Sequence, residues 1–61
     1  MNVFETMRSD LNELVRLVRA SERYCTTIAA RPGLASSETH QVELAREHRI
    51  NELWSRYGVT A

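Results

Sequence analysis

Apolar and small residues in the first half of the chain recur at alternating spacings of three and four positions. These positions are Phe4, Met7, Leu11, Leu14, Val18, Ser21, Cys25 and Ile28. Such a heptad pattern predicts an amphipathic α-helix that packs along one stripe. Further apolar residues flank the stripe, so the apolar arc covers about half of the helix circumference. One neighbouring helix does not cover so wide an arc.

Local signals set the ends of this helix. Asn2 is a typical N-cap residue, and Glu5 follows three positions later, where its side chain can reach back to the cap. Pro32 disfavours helical geometry at Arg31. Gly33 can adopt the left-handed conformation that closes a helix. We therefore expect a helix over about 3–30 and a turn over 31–36.

The second half of the chain predicts another helix, over about 37–57. Ser36 or Ser37 offers its N-cap, and Gly58 marks its end. Its apolar face is formed by Val42, Ala45, Ile50, Leu53 and Tyr57, with Trp54 at the edge. Arg46 and Arg49 interrupt that face. The expected fold is all-α, with residues 1–61 forming a single domain, a two-helix antiparallel hairpin.

A lone hairpin of this length has too little core. Two helices that touch along one stripe bury too little apolar surface to offset the conformational entropy lost on folding. We therefore expect the hairpin to dimerise into a four-helix bundle. In topology and length the chain resembles the Rop-type hairpin. That resemblance implies a dimeric bundle that binds paired RNA loops, although no sequence motif is shared.

Aligning the two helices about a turn centred near Gly33 and Leu34 places Tyr57 level with Asp10 or Leu11. Val3, Phe4 and Met7 then extend beyond the second helix. In the same alignment Glu22 comes close to Arg46 and Arg49, so we expect an ion pair between the helices. The overhang, together with Trp54 and Tyr57, forms an apolar and aromatic cluster of the kind that marks binding surfaces.

This cluster leads to the function that we expect from the sequence. The protein is predicted to be a small non-enzymatic regulator, adaptor or inhibitor that binds both a second copy of itself and another protein. The predicted partner-binding residues are Phe4, Met7, Trp54 and Tyr57, with Arg8 and Arg16 as a polar rim. Aromatic and arginine side chains dominate measured interface energies.

Charge leaves two alternatives open. Eight arginines balance eight acidic residues and there is no lysine, so a net charge of zero argues against bulk electrostatic binding to nucleic acid. Yet Arg8, Arg16, Arg19 and Arg23 fall within an arc of about 80° on the first helix. One alternative is therefore an RNA- or DNA-binding regulator that uses Arg16, Arg19 and Arg23, because guanidinium groups bind phosphates. The other is a structural subunit of a larger helical assembly.

Enzymatic chemistry has little support in the sequence. Cys25 lies on the apolar stripe, where we expect a buried thiol, or else a disulfide across a symmetric dimer. His40, Glu43 and Glu47 share one side of the second helix and could meet a metal ion. That side points away from the apolar face, whereas helical bundles gather metal ligands inside. We expect no catalytic residue, no metal and no cofactor.

The segment Asp10-Leu11-Asn12-Glu13-Leu14 is similar to the opening of small helical-hairpin phosphatases of the sporulation type. Those proteins carry Ser-Gln-Glu-Leu-Asp on their second helix, where this chain has Ala45-Arg46-Glu47-His48-Arg49. The missing acid argues against that activity. The chain also has neither an apolar run of about 20 residues nor a signal-peptide pattern, so we expect a cytoplasmic protein without membrane contact.

Overall fold

The computed structural model describes residues 2–58, which form two helices joined by a tight turn. Helix α1 spans Val3–Ala30 and helix α2 spans Ser37–Arg56, with a short 3₁₀ turn at Pro32–Leu34 between them. No strand occurs within the described residues. Side-chain contacts join Ser21 to Glu43 near the turn and Asp10 to Tyr57 far from it, so the helices are antiparallel. The predicted all-α hairpin is confirmed.

The start of α1 follows the predicted capping chemistry in part. The Asn2 side chain accepts a hydrogen bond from the backbone N–H of Phe4 at 2.9 Å, so Asn2 is the N-cap. Within residues 2–58 the return bond from Glu5 is not formed. The Thr6 hydroxyl donates to the Asn2 carbonyl instead, at 3.4 Å. The bond from Phe4 to the Asn2 side chain satisfies one of the N–H groups that are left free at the helix start.

The turn differs from the sequence prediction. Gly33 does not adopt the left-handed conformation, and among the glycines only Gly58 does, with φ of 68°. The chain leaves α1 at Arg31 in a non-helical conformation and then makes a 3₁₀ turn that begins with Pro32. Proline suits this first position because its fixed φ is already near the helical value. The turn therefore needs no left-handed residue.

Helix α2 begins with a reciprocal capping box. The Ser36 hydroxyl accepts from the Thr39 N–H at 3.1 Å, and the Thr39 hydroxyl accepts from the Ser36 N–H at 2.9 Å. Two backbone donors that the helix itself leaves free are thereby paired. This box fixes where α2 starts immediately after the turn.

The core between the helices is very small. Leu53 is 1% exposed and is the one buried apolar residue of the described chain, whereas Asp10 and Glu43 are buried polar residues. Cys25, which we expected to be buried, is exposed. The partly buried residues Leu17, Ser21 and Ile28 show why, because they lie about 40–120° round α1 from Leu11 and Cys25. Helix α2 packs against one flank of the heptad stripe and leaves the rest of it open.

Candidate interaction surfaces

One side of the contact between the helices is closed by ion pairs. Arg49 donates through Nε and Nη2 to the two carboxylate oxygens of Glu13, at 2.7 and 2.9 Å, and through Nη1 to Glu52 at 3.1 Å. A forked, charge-assisted pair of this kind fixes orientation as well as distance. The hydrogen bonds from Arg49 hold the pKa of Glu13 below its ordinary value.

A second set of polar contacts fixes the far end of α2 on α1. The buried Asp10 carboxylate accepts from the Tyr57 hydroxyl and, at 2.7 Å, from Arg56 Nη1. The bond from Tyr57, followed by that from Arg56, lowers the pKa of Asp10, and the same bond raises the pKa of Tyr57. Tyr57 therefore lies level with Asp10, as predicted by aligning the two helices about the turn. We call the surface formed by Asp10, Glu13, Arg49 and Arg56 the charged side.

The third polar contact corrects a predicted ion pair. Glu22 is exposed, and within residues 2–58 it forms no salt bridge with Arg46 or Arg49. Arg46 pairs with Glu43 on its own helix, and Glu43 accepts a hydrogen bond from Ser21 of α1 at 2.7 Å. Glu22 lies about 100° round the helix from Ser21, so it points away from α2.

Away from the turn, the opposite side of the helix contact is apolar. Near the turn, Tyr24 of α1 and Val42 of α2 border one shallow groove. About 100° further round each helix, away from that groove, lie apolar residues of both helices. We call this surface the apolar face; its members are Phe4, Met7, Leu11, Leu14 and Val18 of α1, and Ile50 and Trp54 of α2.

Much of the apolar face is open to solvent. Phe4 is 77% exposed and Leu11 is 47% exposed, and Met7 is exposed as well. Leu14 and Val18 of α1 are partly buried. Within one hairpin, α2 therefore leaves a stripe of α1 uncovered along about half its length. Contiguous apolar surface of this kind marks a binding site more often than surface in contact with water alone.

The predicted partner-binding residues are only partly brought together. Phe4 and Met7 are exposed at the open end, where α1 extends past Tyr57. Trp54 and Tyr57 are partly buried, and the Tyr57 hydroxyl is bonded to Asp10. Arg16 lies about 18 Å further along α1 than Phe4 and about 120° round it.

The polar rim is thus divided. Arg8 is the rim residue near the open end, since it follows Phe4 by one helical turn. Arg16 lies further along a second surface, which begins at Arg8 and which we call the arginine face: Arg8, Arg16, Arg19 and Arg23. All four are exposed, and none of them takes part in a salt bridge within residues 2–58.

The contacts of Asp10 and Glu13 with α2 were missed from the sequence, although a signal for them existed. Asp10 and Glu13 are one turn apart on α1, and Arg49 and Arg56 are two turns apart on α2. Residues at these spacings share a face of their helix. Matching the acidic face with the basic one would have predicted both ion pairs.

Residues 2–58 contain no group of three or more His, Cys, Asp or Glu side chains that could hold a metal ion. Of the three candidates on α2, Glu43 is buried and bonded to Ser21 and Arg46. Neither helix, in the part of the chain described, combines the length and apolarity needed to cross a bilayer.

Comparisons with family models, curated proteins and solved structures found no match to this chain. In the segment that resembles the sporulation phosphatases, the carboxylates of Asp10 and Glu13 are both taken up by contacts with α2.

Proposed function

We propose that this protein is a non-enzymatic regulator, adaptor or inhibitor that acts as a homodimer in the cytoplasm. In the dimer, the apolar faces of two hairpins pack together into a four-helix bundle. A partner protein then binds at the open end, where Phe4 and Met7 extend beyond α2. This role needs shape and apolar surface rather than a reacting group.

The observation that carries the proposal is the surface area of the single hairpin. The chain exposes 5006 Å², whereas a compact monomer of 7.0 kDa exposes roughly 4,000 Å². The excess is about 1,000 Å², and one partner of a typical stable complex buries about 800 Å². A second hairpin is therefore of the right size to remove the excess.

The arrangement of the two sides supports a second copy as the occupant. The charged side has its acids and arginines paired within one chain. The apolar face has no comparable closure, and its heptad pattern is the one that helical bundles use between neighbouring helices. A two-fold dimer brings the same stripe from both chains together, so the surface is complementary to itself.

The open end supports the binding of a further protein. Phe4 precedes the level of Asp10 and Tyr57, so no residue of α2 lies opposite it. Trp54 lies on the apolar face near that end, and Arg8 follows Phe4 by one helical turn on α1. Large aromatic and arginine side chains are the residue types that contribute most to binding between proteins.

The test is the mass of the protein in solution, measured by light scattering over a wide concentration range. Wild-type protein is expected at twice the chain mass of 7.0 kDa. Leu11→Glu places a charge in the centre of the apolar face and should give a monomer at the same concentrations, because a buried unpaired carboxylate is costly.

Leu44→Glu is the matched control. Leu44 is 50% exposed, close to the 47% of Leu11, but its neighbours one turn away are the polar residues His40, Gln41, Glu47 and His48. This variant should remain a dimer. A wild-type monomer at all concentrations would contradict the proposal. A mass larger than that of a four-helix bundle would favour a structural subunit of a larger assembly.

A further inference from the structure

We propose that the arginine face of α1 is a binding site for the phosphate backbone of double-stranded nucleic acid. The site lies on one helix of one chain and is separate from the apolar face. A dimer would present it twice.

The ion pairs of the described residues are distributed unevenly between the arginines of the two helices. Each arginine of α2 pairs with a carboxylate: Arg46 with Glu43, Arg49 with Glu13 and Arg56 with Asp10. The four arginines of α1 have no such partner within residues 2–58. The zero net charge of the chain therefore conceals a division, with neutralised arginines on α2 and free ones along α1.

The arginine face is long and narrow. Arg8 and Arg23 are separated by about 22 Å along the axis of α1, and the four residues lie within about 80° of arc. A duplex carries about one phosphate charge per 1.7 Å of its axis, so it can meet all four along one straight line. Guanidinium forks match phosphate oxygens in shape, and they stay charged at every ordinary pH.

The neighbours of the arginines favour a duplex over a single strand. Asn12 lies within the arginine face and can donate hydrogen bonds, and no aromatic residue lies between Arg8 and Arg23 on this side of α1. Single-strand sites depend on aromatic side chains that stack on bases. Glu5 lies at one end of the arginine face and Glu22 at its edge, so the arginines still outnumber the acids by two to one.

The position of the site keeps it accessible. The arginine face is centred about 120° round α1 from the apolar face, and it lies on the side of α1 away from α2. Packing two hairpins through their apolar faces leaves it in solvent. Binding of a duplex and assembly of the protein can therefore be tested independently.

The experiment is a titration of a fluorescently labelled 20-base-pair RNA duplex with the full chain, followed by anisotropy at several salt concentrations. Four phosphate contacts predict that log K falls with log salt with a slope of about −3.6. Affinity should then drop roughly a hundredfold between about 50 and 200 mM salt.

The test variant replaces Arg16, Arg19 and Arg23 together with Gln, which keeps helix propensity and removes three charges. Its salt slope should shrink to about −1, since each lost phosphate contact removes about one. The control replaces Gln41, Ala45 and His48 on the exposed surface of α2 with Glu, which changes the net charge by the same amount. This control should keep most of the wild-type slope.

Two results would overturn the proposal. One is equal weakening by the test and control variants, because net charge alone would then explain binding. The other is displacement of the duplex by poly-glutamate at matched charge, which would assign the arginine face to an acidic protein. Circular dichroism of each variant, and light scattering to check that it is still a dimer, make a loss of binding attributable to the arginines.

Discussion

The two sides of the contact between α1 and α2 differ in chemistry and in how far α2 covers them. On the charged side, Asp10 and Glu13 of α1 are bonded to residues of α2, and every bond is made within one chain. On the other side, Leu11 and Met7 remain exposed, and Leu14 is only partly buried. One side is complete in a single hairpin, and the other is complete only when something covers it.

This difference separates the residues that align the two helices from the residues that can stabilise the fold. Ion pairs near the surface contribute little to the free energy of unfolding, because water and salt screen them and long side chains lose entropy. They do fix which residues lie level with each other. The apolar face offers the larger hydrophobic free energy, and that free energy is gained only on burial. The charged side thus sets the register of the hairpin, and the apolar face is the surface through which we propose that it binds.

The largest expected effect comes from the residue where both sides meet. Leu53→Ala removes the one fully buried apolar side chain of the described chain. Truncations of this kind cost about 2–5 kcal/mol, which is a large part of the stability of a small domain. We expect the helical circular dichroism signal to be lost at room temperature or to melt far below wild type.

Leu44→Ala is the control for that experiment, because Leu44 is exposed and its loss should change the free energy of unfolding by no more than about 0.5 kcal/mol. Equal melting temperatures for Leu53→Ala and wild type would show that the hairpin does not depend on Leu53. The main contact between the two helices would then lie elsewhere.

A smaller effect isolates the charged side by pH. The folded pKa values of Asp10 and Glu13 lie below their ordinary values of 3.8 and 4.5, because of the bonds from Tyr57 and Arg56 to Asp10 and from Arg49 to Glu13. Their contribution is therefore fully present above about pH 4.5 and is lost as the pH falls through the folded pKa values. We expect the urea midpoint to fall over that range.

Asp10→Asn should flatten this acid dependence, and Glu47→Gln, at an exposed position of α2, should leave it as it is in wild type. Alkaline conditions give a second check with the opposite sign. The pKa of Tyr57 is raised by its bond to Asp10, so that contribution is present below the ordinary value of 10.0 and is lost above it. An acid profile unchanged by Asp10→Asn would argue against the ion pairs as its source.

The smallest effect lies outside both sides. Ser36→Ala removes the capping hydroxyl at the start of α2, and loss of an N-cap costs about 1 kcal/mol. Ser37→Ala, one position later, is the control. Because the cap is local, the same loss is expected at every chain concentration, measured by thermal melting. A loss that changes with concentration would connect the turn to the subunit contact.

These contrasts also show what the sequence could predict. The helices and their caps were predictable, because Asn2 and Ser36 act on backbone groups within a few residues of themselves. The exposed Cys25 was not, since which flank of α1 meets α2 is decided by competition between distant residues. The pairing of Arg49 with Glu13 rather than Glu22 depended on the same choice.

The prediction of a left-handed conformation at Gly33 was wrong for another reason. A glycine permits the left-handed conformation without requiring it, and Pro32 already provided a 3₁₀ turn. Tyr57 and Asp10 lie level, as predicted by aligning the two helices about the turn, so Phe4 and Met7 extend beyond α2. That a partner binds there stays a prediction, because it depends on the surface of a second molecule.

The isolation of Leu53 has a consequence for how the protein would behave in a cell. When most of the apolar burial is gained on association, folding becomes bimolecular, and the melting temperature rises with the amount of chain present. Scarce chains would stay unfolded and be degraded, whereas abundant chains would protect one another. In such a homodimer, activity switches on above a threshold level of synthesis, so that gene dosage itself becomes the regulatory input.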